Sequence, residues 1–430
     1  MTRLSFLRAP SRGLLDGPRA RRLALLVAGM IALWPLPGYA HDAASWGGLF
    51  RTSDDGATWF QSNHGHLVSG ALAVAVSPSD PRVLLLGTDG GLLASRNGGL
   101  DWGAVAPDLL VGPVFAIASD GQHVLVATAR ALFRSDDGVA WAPAATPLGA
   151  SPARSLVWGG RPGEAYLVGW QGLFRTDDWG GSWIPVDGGL PSPRVGALVV
   201  DAHASGLLFA VVDGALFASP DGAHSWQRRG AGLPAGGVQA LALDPQQAGA
   251  LWAAGQDQVF RSTDRGVTWA AVGAPLPDRE TEIRGIAPSG DGSAMVLSTH
   301  RGLYRTRDGA HSWTLLVDNV PGHLEAGPLV RDPSQPSALY AGFSLTPYDE
   351  QWARAADGRS LVSGLTATEL LGAAAFLVTL GLGAAGALRA LSRGRRGSGE
   401  PLPAAESQRP GVSLPEPIAA KAKGEGEVVQ

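Results

Sequence analysis

The chain has 430 residues, with 34 basic and 38 acidic side chains, 60 glycines, 14 tryptophans and no cysteine. The acidic balance argues against a nucleic-acid partner, which needs a basic face to neutralise phosphates. The missing thiols exclude disulfides, thiolate metal centres and a cysteine nucleophile.

The first 22 residues carry six arginines and one aspartate, and Leu23 to Trp34 is a run of 12 apolar residues. Gly38-Tyr39-Ala40 follows as a small-x-small site. This is the pattern of a removed secretory signal (1–40), because the apolar run is too short to span a bilayer comfortably. Cleavage leaves His41 as the new N-terminus.

From residue 46 onward one feature organises the chain. Trp59, Trp102, Trp141, Trp183, Trp226, Trp269 and Trp313 each close a short acidic, glycine-bearing turn, at spacings of 43, 39, 42, 43, 43 and 44 residues. The fullest copies, Thr52 to Trp59 and Ser262 to Trp269, read Ser/Thr-x-Asp-x-Gly-x-Thr-Trp. An aspartate can accept backbone N–H bonds inside its own turn, glycine supplies positive φ cheaply, and the indole offers a large apolar surface. Asn97 replaces the Asp in the second copy, Arg134 stands at the Ser/Thr place of the third, and Ala223 and Ala310 stand for Gly in the fifth and seventh. Polar letters that vary around a fixed indole suit a packing motif, and a catalytic motif could not lose its carboxylate so freely.

Four short strands per period of roughly 40 to 45 residues make an all-β seven-bladed propeller the expected fold. The unit 194–226 shows the order: an alternating run to Val200, an apolar run Leu207 to Val212, a tight Asp213-Gly214 turn, a third strand Ala215 to Ser219, and a fourth opening at Trp226. Six complete units recur. Trp46 to Gln61 supplies only strands three and four, and Pro328 to Phe343 only strands one and two, so N- and C-terminal half-blades should combine to close the ring over residues 41–345. An eight-bladed ring using Gln351 to Ala355 as a further strand is the competing count.

After a linker at 346–368, Leu370 to Leu388 is 19 residues without a charge, and a helix of that length would reach about 28 Å. A transmembrane helix at 369–391 is therefore expected. Arg389, Arg393, Arg395 and Arg396 follow at once, which places the tail (392–430) in the cytoplasm and the propeller on the extracytoplasmic side of a bacterial membrane. The tail, with both lysines of the protein and no aromatic residue, reads as disordered. Residues 41–388 hold 21 arginines against 32 acidic side chains, a balance of −11.

The turns, together with strands such as Gly48-Leu-Phe-Arg-Thr52, Gly172-Leu-Phe-Arg-Thr176 and Gly302-Leu-Tyr-Arg-Thr306, resemble the Asp-box (bacterial neuraminidase repeat) propellers. That superfamily includes sialidases, sortilin-like luminal domains and the photosystem II assembly factor-like propellers. The resemblance covers roughly residues 46–345 and implies fold more than activity. It implies a sialidase only weakly, since the Phe-Arg-Ile/Leu-Pro start is missing and Tyr166, Tyr304, Tyr340 and Tyr348 are the tyrosines left to serve as nucleophile.

It also implies that the acidic turns face away from the ligand, and that a site is built from the opposite loops. The candidate ligand-binding residues are then Asp89, Arg130, Trp170, Asp213, Asp257, His300 and Tyr348, read as strand-two-to-three turns. No catalytic residue, metal or cofactor is assigned. His41, His64 and His66 could gather a borderline metal, and Asp278, Glu280 and Glu282 a calcium ion, although solvated loops explain both groups. Arg51, Arg134, Arg175, Arg261 and Arg305 share one strand position, and pairing with neighbouring-blade acceptors is favoured over an anion-binding ring. The function expected is a non-catalytic binding, assembly or sensing module for a protein or other envelope ligand. A glycan-directed hydrolase or lectin is the alternative.

Overall fold

The computed structural model describes residues 47–357, apart from 150, 151, 202, 203, 205 and 280. The signal segment, His41, Trp46, Glu280, the 370–388 stretch and the tail lie outside the described residues. Contacts divide the chain into 1–361 and 362–430, and everything described belongs to the first unit.

Strands β1 (Gly48–Thr52) and β2 (Phe60–Gln61) open the chain. Blade I is β3 (Ala71–Val76), β4 (Leu84–Thr88), β5 (Leu92–Ser95) and β6 (Gly103–Val105). Blade II is β7 (Val114–Ser119), β8 (Val124–Thr128), β9 (Leu132–Ser135) and β10 (Ala142–Pro143). Blade III is β11 (Ser155–Trp158), β12 (Ala165–Gly169), β13 (Gly172–Thr176) and β14 (Ile184–Pro185). Blade IV is β15 (Val195–Val200), β16 (Leu208–Val212), β17 (Ala215–Ser219) and β18 (Gln227–Arg228). Blade V is β19 (Ala240–Leu243), β20 (Leu251–Ala254), β21 (Val259–Ser262) and β22 (Ala270–Val272). Blade VI is β23 (Ile283–Pro288), β24 (Met295–Thr299), β25 (Gly302–Thr306) and β26 (Thr314–Leu315).

The last two strands, β27 (Glu325–Arg331) and β28 (Leu339–Ser344), join β1 and β2 in the order β2-β1-β28-β27 to make blade VII. The ladder between them runs from Gly48 opposite Phe343 to Thr52 opposite Leu339. Ring closure by the two half-blades is therefore as the repeat count requires, and it leaves no unpaired sheet edge between the chain's beginning and its end. The eighth-blade alternative fails, because 351–355 is part of a helix, α1 (Tyr348–Ala356).

Second strands are buried along their whole length, as in Leu208–Val212, because each sheet is covered on both faces by its neighbours. Fourth strands are short and exposed, so their two or three residues carry little patterning. The apolar core is divided between blades accordingly. Tyr166, Val168 and Leu173 of blade III interlock with Leu208, Ala210 and Phe217 of blade IV. Across the closing seam Trp59, Phe50 and Phe343 pack on Val296 and Leu303 of blade VI.

The seven acidic turns join strands three and four, and in each the Asp or Asn side chain accepts a backbone amide of its own turn. In the first, Thr52 Oγ1 donates to Asp54 Oδ1 (2.6 Å), and that oxygen also accepts from the amides of Ala57 and Thr58 (both 2.9 Å). The Trp59 indole N–H donates to Gly56 O (3.1 Å). Asn97 reproduces the same acceptor geometry in the second turn. Ala223 and Ala310 hold the glycine conformation at φ +71° and +68°.

The third turn departs from the reading that placed Arg134 at the Ser/Thr position. Ser135 fills that role, donating to Asp137 (3.1 Å), and the span from Asp137 to Trp141 is one residue shorter than the span from Asp54 to Trp59. Trp141 also lacks an acceptor for its indole N–H among the described residues. Arg134 instead belongs with the repeated arginines, four of which reach backbone carbonyls in the next blade's turn. Arg51 contacts Gly98 O (3.3 Å), Arg134 contacts Asp178 O (3.5 Å), Arg175 contacts Gly222 O (3.2 Å) and Arg305 contacts Asp55 O (2.6 Å). Arg261 stays within blade V on Asp244 and Gln247. These are staples between blades and do not form an anion ring.

Candidate functional site

Strand alternation puts the two-to-three turns and the blade-to-blade connections on the face opposite the acidic turns. On that face the first strands converge on a central channel, which opens into a cavity of about 720 Å³. Four first strands carry a one-residue bulge near the mouth, at Leu72, Phe115, Gly196 and Arg284, and β27 is similarly irregular at Gly327-Pro328. All of these residues line the cavity. A bulge re-aims a side chain and strengthens local twist, so in these five blades it turns the inserted residues toward the mouth, while β11 and β19 pair without a register shift.

Helix α1 occupies part of this opening. Asp349 and Glu350 in its first turn and Arg354 in its last complement the helix dipole. Its Trp352 is buried against Leu72 and Phe115. The indole N–H donates to Ala153 O (3.3 Å), Tyr348 Oη donates to Arg154 O (2.9 Å), and Asp349 pairs with Arg154 at 2.7 Å. Burial pushes the Tyr348 hydroxyl well above the usual phenol range. The sequence reading placed Tyr348 on a two-to-three turn. It is instead the first residue of α1, because the closing blade replaces that turn with the two chain ends.

The remaining candidates separate. Trp170, at the β12–β13 turn, is 44% exposed; its ring lies 5.4 Å from that of Trp352, and the Arg194 guanidinium sits 5.3 Å from its centroid. Asp213 lines the cavity from the tip of the β16–β17 hairpin in a left-handed conformation, φ +48°. Asp89 accepts from the Ser69 hydroxyl, and the His300 Nδ1 accepts from the Glu282 amide (3.0 Å). Neither lines the cavity, nor do Arg130 and Asp257. Asp213 and Tyr348 thus share the cavity wall, Trp170 stands beside it against Trp352 and Arg194, and the other four do not line it.

Sequence reasoning missed Arg154, Arg194, Arg284 and Trp352. The first three stand at or just before the start of a first strand, a position the repeat itself marks.

Charges at the mouth are largely consumed by one another. Arg284 pairs with Glu325 and with Glu282 (3.5 Å), and burial still raises the Glu325 carboxyl above its ordinary value. Asp349 is held by Arg154, while Asp213 makes no ion pair among the described residues. A glycosidase needs two carboxyl groups facing one bond at about 5 to 9.5 Å; of the carboxylates at the mouth, Glu282, Glu325 and Asp349 are tied to arginines and Asp213 is not. Among the described residues no group of three His, Cys, Asp or Glu could hold a metal ion. His66 Nε2 bonds Trp102 O (2.9 Å) while His64 is exposed, and Asp278 and Glu282 are paired with Arg301 and Arg284.

No protein-family model matches the chain, and no curated protein does. Solved structures share its fold, and the class they define is the seven-bladed β-propeller. YCF48 from Cyanidioschyzon merolae superposes with a TM-score of 0.50 at 16% identity, covering 64% of this chain and 96% of its own. The GH74 xyloglucanase from Xanthomonas campestris gives 0.51 at 20%, over 64% of this chain and 51% of the enzyme. The extracellular domain of BT4673 from B. thetaiotaomicron gives 0.52 at 12%, over 65% and 38%. The chain thus spans about half the xyloglucanase, and likenesses at this identity concern fold alone. Among the described residues no helix is long and apolar enough to cross a membrane.

Proposed function

We propose that the chain is an exported Asp-box propeller, tethered to a bacterial membrane by residues 369–391, that binds a protein segment in the envelope as an assembly or sensing module without catalysis of its own. The observation that carries this reading is the seating of α1. The mouth accepts a peptide bearing an aromatic anchor and an acidic side chain, through two bulged apolar residues, two carbonyls and one arginine. Its uncovered sector offers the same chemistry to a partner: an exposed indole (Trp170), a cation beside it (Arg194) and a carboxylate (Asp213). YCF48 and the xyloglucanase share the fold and have different activities, so the site decides between them.

The test is affinity capture from an envelope extract by the full chain and by a Trp170→Ala/Arg194→Ala variant. A partner retained by the first and lost by the second supports the reading, and equal capture by both overturns it. A lectin or hydrolase is the second reading, favoured by the exposed Trp170 indole, which could stack on a sugar ring. Turnover of a fluorogenic glycoside by the purified chain would establish that alternative.

A further inference from the structure

The seven blade-to-blade connections on the mouth face are unequal. Each tucks one or more aliphatic side chains inward: Val68, Leu110, Leu148, Leu190, Leu233, Leu276 and the Val320–Leu324 pair are buried or half-buried. Three consecutive connections carry an additional aliphatic residue pointing outward. Leu67 between blades VII and I is 98% exposed, Val111 between I and II 68%, and Val317 between VI and VII 64%. Leu345, which leaves β28 in the same sector, is also exposed. The other four connections expose no large aliphatic residue among those described.

Charge follows the same division. Segments 62–70, 106–113 and 316–324 contain no lysine or arginine, whereas each of the other four connections contains an arginine: Arg154, Arg194, Arg229 and Arg279. The last turn of α1 packs with Leu72, Phe115 and Ala129 of blades I and II, so the chain leaves the described region at Asp357 inside the aliphatic sector. Residues 358–369 then separate Asp357 from the uncharged stretch 370–388, a connection of roughly 40 Å at most when fully extended.

We propose that this sector, from blade VI through VII and I to II, is a bilayer-contacting surface, with Leu67, Val111 and Val317 entering the lipid interface; this rests on the membrane tether of the preceding subsection. Isolated exposed aliphatics are ordinary on a soluble surface. Here they cluster on adjacent loop tips, on the face where the chain departs toward its apolar stretch. A tether of that length keeps the interface within reach, so three weak apolar contacts act at high effective concentration. The three aliphatic connections themselves carry no lysine or arginine, and Arg130 and Arg301 stand on the two-to-three turns of blades II and VI at the ends of the sector, so the contact at the tips is one of apolar insertion that should persist at high salt and on phosphatidylcholine alone.

The protein has no native cysteine, so single nitroxide labels can be placed without background. Leu67→Cys, Val111→Cys and Val317→Cys would be labelled in the full chain on phosphatidylcholine vesicles, with Leu100→Cys, Val139→Cys and Val267→Cys on the acidic-turn face as controls. The rim labels should show a ratio of oxygen to nickel-chelate collisions roughly threefold or more above the controls, in low and high salt alike. Equal ratios on a chain that floats with the vesicles would overturn the rim contact while leaving the tether standing. Failure to float would overturn both. Rim labels protected in a concentration-dependent way without vesicles would assign the surface to a second copy and overturn the lipid proposal.

Discussion

The two faces of the ring were built under different constraints. On the acidic-turn face, seven hairpins repeat one solution, in which a carboxylate or amide oxygen caps its own turn and an indole anchors the next strand. On the mouth face, the equivalent bulged position is leucine, phenylalanine, glycine or arginine according to the blade. Repetition marks where every blade meets the same packing problem. Divergence marks where the blades do different things.

The largest expected effect tests the repeated face. Trp59 is 2% exposed and lies at the closing seam, so Trp59→Ala should cost about 3 to 5 kcal/mol, read as a lowered denaturant midpoint. Trp313→Ala, at a half-buried indole away from the closure, should cost clearly less. Equal losses would mean that closure has no special weight.

Next in size is the anchor of α1. Trp352→Ala should free the helix, raising amide exchange at 348–356 by roughly a hundredfold while the ring's midpoint changes little. If the whole ring loosened with it, α1 would be part of the core and not an occupant of the mouth.

A smaller effect comes from acid. The Ser225 and Thr268 hydroxyls hold the Asp221 and Asp264 carboxyls at about 2. At Asp54 burial works in the opposite direction, but the Thr52 and Thr58 hydroxyls still bring it to about 2. A folded pKa below the unfolded value of ~3.9 gives stability that is present above pH ~4 and lost as pH falls toward 2. Unfolding followed across that window should show the decline. Asp264→Asn should remove its own share of the pH dependence and keep the turn, as Asn97 already does in blade I.

The smallest stability effect sharpens the contrast. Trp170→Ala and Arg194→Ala should each shift stability by no more than about 0.5 kcal/mol, because both are exposed, yet they should abolish partner capture.

Blade number and the turn positions were legible because each depends on contacts within a period of about 40 residues, and ring closure followed from the two half-blades that this count left over, although its ladder pairs residues as distant as Gly48 and Phe343. The third turn was misaligned because counting back from Trp141 assumes a fixed turn length, and the Ser135–Asp137 bond shows a shorter one. Tyr348 was misplaced because the nine-residue α1 follows the last repeat and owes nothing to its pattern. Arg154, Arg194, Arg284 and Trp352 were missed because they act together only after distant blades are brought around one axis.

The sequence by itself determined the repeating unit: strand order, acidic turns and indole anchors are local, and a local hydrogen-bonding or packing need leaves its mark every period. Tertiary structure decided which side chains share the mouth, that the chain's own helix sits in it, and that exposed aliphatic tips lie side by side. Those neighbours can lie 195 residues apart in the chain, as Arg154 and Asp349 do, or 233, as Tyr348 and Phe115 do, and only closing the ring supplies the register that joins them.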